Sequence, residues 1–551
     1  MTGNGGGRSA VAVIGGGLAG ITAAIALQEA GHSVTLLEAR PRLGGATASF
    51  TRGDLVVDTG QHVFLRCCTA YRGLLARLGM TGATSLQERF DITVLSPQGR
   101  ARLRRSNLPG PLHMAGSLLR YQLLTPGQRL RVGQAALAMR LLNETGAAAD
   151  GTRLGDWLAA RGQDERTRRV LWDLFTISSL NVAADDANLG LAGTVVKTAL
   201  LGARDAADIG VPAVPLGDLH GRAGQALLER LGARVLLGAK AAAVEQAADG
   251  RFLVRLAARG REDLAGPGAS ADGDAAGAGV ASGNGVTPGG AGPDGSGHTG
   301  PAGAGLAGDG QGATVLAGDG QVLLADAVVI AVPPQVAARL LPAGARPAAG
   351  PGPEQWAQLG VSPIVNVHVI YDRRVTRLPF AAAVDSPVQW VFDRTGPSGL
   401  KSGQYLAVSL SAADEYVDMP AARLREQFLP AMAELFPAAL DAQVADFFVT
   451  RERRATIRQV PGCGALRPGP ATGLPGLAVA GAWTDTGWPD TMEGAVRSGL
   501  NAAIQLRREL AATGLPAPSA PGAKAAPGAT AVPAGRAGWR RLARRGAGAA
   551  A

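Results

Sequence analysis

Six residues near the start of this 551-residue chain, Gly15-Gly-Gly17-Leu-Ala-Gly20, have the spacing that cradles a dinucleotide pyrophosphate. They follow a short apolar run, Ala10–Ile14, and open a helix-forming stretch that closes at Gly31. Gly15 allows a tight turn, Gly17 lets the backbone approach the anion, and Gly20 lets helix lie close on sheet. The helix N-terminus then faces the negative charge. Glu38 ends a second apolar run, Ser33–Glu38, 18 residues beyond Gly20. A carboxylate there accepts from a ribose diol and favours an unphosphorylated ribose. A glycine triplet alone is a weak signal; strand, turn, helix, strand and acid in register are a strong one.

Two further segments carry glycines and charge in useful places. Pro41-Arg-Leu-Gly-Gly45 comes directly after Glu38, with Arg42 able to pair with phosphate and Gly44 and Gly45 letting the backbone pass close to it. Far along the chain, Ala480-Gly-Ala-Trp-Thr-Asp-Thr-Gly-Trp-Pro489 leads into Met492-Glu-Gly-Ala-Val-Arg-Ser-Gly499. Residues 11–60 resemble the FAD-binding start of the amine oxidase and phytoene desaturase superfamily. The later segment resembles the one that returns, in that superfamily, to the nucleotide domain. There its Glu-Gly-Ala turn opens a helix directed at the pyrimidine edge of the flavin, where a helix N-terminus stabilises the charge of the reduced ring. The chain departs from the pattern twice. Ala46 stands where relatives often have a second Arg, and Ala482 where many have an acid for the ribityl chain, with Asp485 the candidate replacement.

Asp58-Thr-Gly-Gln-His62, taken with Trp483-Thr-Asp-Thr-Gly-Trp488-Pro and Met492-Glu-Gly-Ala-Val, narrows the resemblance to the squalene-associated FAD-dependent desaturase-like family. It is strong over residues 10–80 and 470–505 and holds in outline between them. The resemblance implies an α/β fold: a Rossmann-like FAD-binding domain with a mixed α+β substrate domain of the amine oxidase/phytoene desaturase type. It implies FAD held by Gly15, Gly17, Leu18, Ala19, Gly20, Glu38, Ala39, Arg42, Gly44, Gly45, Gly60, Gln61, His62, Val244, Gly481, Ala482, Met492, Glu493, Gly494 and Ala495. Members of that family act as hydroxysqualene dehydroxylases. This implies a long-chain isoprenoid substrate, hydroxysqualene, reduced to squalene in hopanoid biosynthesis, with functional coupling to other squalene and hopanoid enzymes. Such chemistry needs an acid near the departing hydroxyl, a dry slot for the chain and an oriented flavin. Two other classes stay open. An FAD-dependent desaturase or oxidase acting on a carotenoid, another isoprenoid or an amine would share the nucleotide motifs. A prenyl-chain carrier resembling the GDP-dissociation inhibitors would lack flavin chemistry, and Glu38, Arg42 to Gly45 and Met492 to Ala495 argue against it.

Candidate acids are few. His62 follows a glycine turn expected beside the flavin; it is either a substrate-side donor or an imidazole bonded to backbone that holds the turn. Asp485 either meets the ring or caps its own turn, and Glu493 serves the helix start rather than proton transfer. His113, His220 and His368 have no metal-ligand spacing, and neither a nucleophile elbow nor a zinc-type His/Cys cluster is present, so no metal is expected. Cys67 and Cys68 read as buried thiols. With Cys463 they make three cysteines, too few for a disulfide framework and suited to a reducing compartment.

The elements that must bring these pieces together alternate between strand and helix. Tyr71, Leu74, Leu75 and Leu78 mark a helix with one buried stripe. Residues 325–332 read as a buried strand stopped by Pro333-Pro334, residues 365–370 as a strand of the substrate sheet, and residues 492–510 as a helix. Trp390 and Phe392 share a strand face, as tunnel lining or as core. The segment 266–313 holds 18 glycines in 48 residues and reads as a disordered expansion of a hairpin loop between Phe252–Leu256 and residues 321–324. The expected order is a flexible leader over 1–9, the FAD-binding domain over 10–111, 222–355 and 449–510, a substrate domain over 112–221 (largely helical) and 356–448, and a disordered basic tail over 511–551. Lys524, Arg536, Arg540, Arg541, Arg544 and Arg545 in that tail supply six of the ten net positive charges, leaving the body near +4, so a nucleic-acid partner is not expected. No apolar run is long enough to span a bilayer, and no signal-peptide core follows Met1. The chain therefore reads as cytoplasmic. Leucine and alanine mixed with Arg120, Arg129, Arg131 and Arg140 between residues 118 and 142 are either ordinary packing with solvated arginines or a mouth in peripheral contact with the inner face of a membrane.

Overall fold

The computed structural model describes residues 8–257, 314–317, 320–347 and 350–512. Most of the expected leader, the insertion 266–313 and nearly all of the tail lie outside the described residues. Four helices matter for the site and its surroundings: α1 (Leu18–Glu29), α2 (Thr69–Arg77), α3 (Pro126–Arg140) and α4 (Met492–Ala512).

The first apolar run is the centre of a parallel sheet. Ala10–Ile14 lies between Ser33–Glu38 and Ala327–Ile330, with Val13 level with Leu36 on one side and Val329 on the other. Arg234–Leu237 and Leu477–Val479 form the two edges. These strands are apolar throughout because both faces are covered. Val11 and Val13 enter the core under the helices, while Ala12 and Ile14 enter the core under a second sheet. Helix α1 is buried around most of its circumference, pressed between the parallel sheet and α4.

The second sheet is antiparallel, in the order Ala241–Gln246, Phe252–Leu256, Gly320–Ala325, Thr314–Ala317. It contains the expected pairing across the insertion, with Val254 opposite Leu323. The run expected as one strand over 325–332 is divided at Asp326, whose carboxylate accepts from the Ala10 amide while its own amide donates to the Ala10 carbonyl. The chain is thereby turned out of one sheet and into the other.

The substrate half is built on a seven-stranded mixed sheet in the order Val444–Thr456, Ser362–Tyr371, Gln404–Ser411, Trp390–Asp393, Phe380–Ala383, Asp91–Ser96, Gly99–Arg104. Residues 365–370 lie within it as expected. The sheet does not respect the expected segment borders. The hairpin Asp91–Ser96/Gly99–Arg104, inside segment 10–111, joins through a parallel pairing of Val94 with Ala382, and Val444–Thr456 crosses the 448/449 border. The reason is burial: Ile92, Val94, Ala101 and Leu103 need an apolar face, and the helical segment after residue 112 supplies it. Helix α3 is started by a reciprocal cap in which Thr125 and Gln128 bond each other's backbone amides. Among the described residues, no helix is long and apolar enough to cross a membrane.

Candidate active site

The glycine turn after Ala10–Ile14 behaves as its spacing predicts. Gly15 has φ of 107°, a region that disfavours any side chain, and its amide donates to the Leu37 carbonyl. A Cβ on Gly20 would run into the Gly15 carbonyl. Gly17 caps α1 with no side-chain bond and no acid in the first turn, so the leading amides of the helix have no internal partner. Leu18 and Ala19 are buried in the core and offer only those amides. Gly45 faces Gly17 backbone to backbone, since a Cβ on Gly45 would lie 2.9 Å from the Gly17 Cα. Gly44 ties this second turn to the first by donating to the Gly16 carbonyl.

Whether these residues fit a flavin dinucleotide is tested by the polar groups the fold leaves over. Arg42 Nε and Gln61 Nε2 are buried donors with no hydrogen-bond partner, on the two turns that flank the glycine cradle. With the uncapped helix they make a set of donors suited to a dianionic pyrophosphate and a polar ring edge. Glu38 lies at the end of its strand, where its oxygens accept from the Gly16 and Arg40 amides at 2.7 and 2.8 Å. One lone pair on each oxygen remains for a diol. Ala39 is exposed beside it, whereas the Val244 side chain packs in the core between the two sheets.

The turn at Gly60 is anchored from below. Asp58 forms a buried ion pair with Arg394 at 2.6 Å and accepts from Ser49 Oγ and the Leu216 amide. Arg394 follows a strand of the substrate sheet and also donates to the Pro212 carbonyl, so this pair joins the two halves under the turn. His62 Nδ1 lies 3.3 Å from the Gly60 carbonyl. Burial lowers its pKa, against the bond to Gly60 and the charge of Asp58, which keeps the ring neutral. That is the turn-holding arrangement, not that of a charged acid. Behind it His220 is pushed down to about 3 by burial and by His62, and its Nε2 lies 2.7 Å from Tyr71 Oη. Val63 and Leu65, next in the chain, open an apolar cluster with Leu171, Leu174, Phe175 and Phe392, against which Trp390 packs. Trp390 and Phe392 stack on each other with centroids 6.2 Å apart.

On the C-terminal segment one expectation needs correction, the inward role of Asp485. Asp485 is exposed and accepts from the Gly487 amide, so it caps its own turn and does not point inward. Glu493 is 1% exposed, and its oxygens accept from the Ala70 and Tyr71 amides while Arg497 donates to one of them. It therefore caps α2 from α4, with both lone pairs of Oε1 used and one left on Oε2. Gly481, Ala482, Met492, Gly494 and Ala495 lie on the expected turn and helix start. Arg467 rivets that turn by donating to the carbonyls of Ala482, Trp483 and Thr484. A Cβ on Gly499 would meet the Ala19 carbonyl, so α4 closes directly onto α1.

Sequence reasoning missed Asp490. Its amide donates to Gln459 and one oxygen accepts from the Ile457 amide at 2.8 Å, while burial raises its pKa against that amide and Arg467. The only available signal was its position two residues before Met492. A cavity of about 450 Å³ elsewhere, between Asn181, Asp186, Ala412, Asp414 and Arg458, is lined by charge and unsuited to a hydrocarbon.

A family model for flavin containing amine oxidoreductases matches residues 18–276 and 305–506, including helix α1, the Gly44–Gly45 turn and the α4 start. The chain belongs to that family. As a flavin-containing amine oxidoreductase family member, it is an FAD-dependent oxidoreductase. It is 30% identical over 504 residues to the hydroxysqualene dehydroxylase of Rhodopseudomonas palustris, covering 90% of this chain and 97% of the relative. To the hydroxysqualene dehydroxylase of Sinorhizobium fredii it is 27% identical, with the same shares covered. Its fold is similar to that of cyclohexylamine oxidase from Brevibacterium oxydans, with a TM-score of 0.60 at 18% identity over 92% of this chain and 100% of that one.

Proposed function

We propose that this protein reduces hydroxysqualene to squalene. The observation that carries the reading is the likeness, along 90% of the chain, to two proteins named for that dehydroxylation. The Asp58-to-His62 element and the Trp483-to-Ala495 segment support it. The carbon–oxygen bond breaks as the hydroxyl takes a proton and leaves as water, and a hydride restores the electron pair at that carbon. Reduced FAD, when bound, supplies the hydride. The amides of Gly17 to Gly20, with Arg42, Gly44, Gly45 and the Gly60–Gln61–His62 turn, would bind and orient it, and the start of α4 would face its ring.

Protonation of the hydroxyl falls to the chain. Asp490 is the better donor, because burial holds its proton to higher pH while Ile457 and Gln459 fix its position. His62, neutral and turned to Gly60, is a positioning residue. The apolar cluster from Val63 to Trp390 would keep water from an allylic cation. In this reading the enzyme serves squalene and hopanoid synthesis beside the other enzymes of that route, on the cytoplasmic face of a membrane where its substrate dissolves. Anaerobic incubation of the reduced protein with hydroxysqualene should yield squalene. Failure there, with a polyene converted to a more unsaturated one, would replace this reading with a desaturase.

A further inference from the structure

Six of the seven large apolar side chains that are well exposed among the described residues fall in one short stretch: Leu108, Leu112, Leu119, Leu130, Leu137 and Leu141, between 52% and 89% exposed. Helix α3 explains how. Val132, Ala135 and Met139 are buried, as one stripe of an amphipathic helix requires. Leu130, Leu137 and Leu141 follow one another at i, i+7 and i+11 on the opposite side, with only Gln134 between them. The helix therefore has two apolar faces, and only one has a partner. The preceding segment repeats the device: His113 and Ser117 point in, Leu112, Ala115 and Leu119 point out. The two pieces are tied together where Arg129 donates to the carbonyls of Leu119 and Tyr121.

The charge around this face is one-sided. Residues 92–143 contain eight arginines and no aspartate or glutamate. Arg102, Arg104 and Arg105 pair with Asp91 and Asp208, acids from outside the stretch. Arg120, Arg129 and Arg131 hydrogen-bond to backbone carbonyls at the rim of the leucine stripe, and among the described residues no ion pair is formed by Arg120 or Arg129; Arg131 interacts with the charge of Asp164, which is bonded to Gln128. A soluble surface has no use for unpaired leucines framed by arginines, whereas an interfacial helix has this pattern.

We propose that this face docks onto an anionic phospholipid bilayer, with the leucines at the acyl boundary and the arginines at headgroup level. The proposal deepens the reading that the enzyme works at a membrane, by naming the surface and the lipid class. Docking here holds the helical half of the substrate domain against the phase that dissolves a hydrocarbon substrate. It rests on exposure and charge, so it stands or falls apart from the reaction.

The test is flotation of the full-length holoprotein with substrate-free vesicles of phosphatidylcholine, with and without phosphatidylglycerol. The protein should float with the anionic vesicles, less so at high salt. Leu130→Ser with Leu137→Ser and Leu141→Ser should lower partitioning at least about tenfold, with flavin content and unfolding temperature unchanged. Arg120→Gln with Arg131→Gln and Arg140→Gln should abolish the preference for anionic lipid. No flotation of the wild type would overturn the proposal. So would a leucine variant that floats equally well, which would give the role to Arg540 to Arg545. A wild-type dimer that the leucine changes dissociate, without vesicle binding, would assign the face to a second copy of the chain instead.

Discussion

The nucleotide half and the substrate half solve different problems with different materials. The first is made of backbone: Gly17 faces Gly45, an uncapped helix start presents its amides, and the parallel strands behind them are apolar on both faces. The second is made of side chains: a mixed sheet recruits a hairpin from 288 residues earlier, by the pairing of Val94 with Ala382, and apolar residues with no fixed pattern fill the space between sheet and helices. The difference teaches that a site built from glycines announces itself in sequence, because only glycine satisfies it. A site built from packed leucine, phenylalanine and valine does not, because many sequences would serve.

The sharpest way to break that comparison is at Gly17. Nothing in the protein lies nearer than 3.9 Å to a Cβ there. Gly17→Val should therefore fold with an unchanged unfolding temperature for the apoprotein and still lose its flavin, seen as loss of yellow colour and of all turnover. Retained colour would remove the pyrophosphate from this turn.

The joint between the halves comes next. Arg394 and Asp58 are a buried pair, and Arg394→Ala would leave the Asp58 charge without its partner inside the protein. Chemical denaturation should show a loss of about 3–5 kcal/mol. A loss below 1 kcal/mol would mean that the halves are held together elsewhere.

Asp490 and Asp485 set a half-buried acid against an exposed one on the same segment. Asp490→Asn should lower kcat about a hundredfold at constant flavin content, while Asp485→Asn should leave kcat within about twofold, as for an exposed turn position. Equal effects would return the proton donor to the unassigned groups around His62.

The smallest effect tests burial in the helical segment. Burial raises Asp173 to about 6, against the Ala184 amide that donates to it. An unfolded aspartate titrates near 4. Between those values the folded protein keeps a proton that the unfolded chain has released. The contribution of this group to stability is thus complete below the lower value and lost as pH rises through the upper one. Asp173→Asn should stabilise the protein at neutral pH by up to about 2 kcal/mol and not at all near pH 4. The same gain at both pH values would show that Asp173 is not the titrating group.

Most of the nucleotide half was legible. Gly15, Gly20, the paired strands and α4 lie where spacing puts them, and the strand at 325–332 was misjudged only because the Asp326 carboxylate turns the chain through a contact with Ala10 that sequence does not display. The site was less legible. Glu493 and Asp485 are both acids beside glycines, and nothing in their local sequence tells that one caps a helix 422 residues away while the other caps its own turn. Asp490 was invisible for the same reason: its position is fixed by Ile457 and Gln459, and its raised pKa comes from burial by the fold, neither displayed in the local sequence. The border of the substrate sheet was misplaced because the 91–104 hairpin has ordinary alternation and its partner strand is fixed by burial alone.

Glu493 also fixes an order of events in the life of the chain. Ala70 and Tyr71 leave the ribosome early, yet the carboxylate that caps their helix is 423 residues further on from the first of them. The nascent polypeptide must hold an open-ended α2 and an uncovered α1 through nearly the whole of translation. Prosthetic-group capture is consequently among the last steps of maturation, and a premature stop even shortly before α4 would yield a colourless product instead of a shortened enzyme.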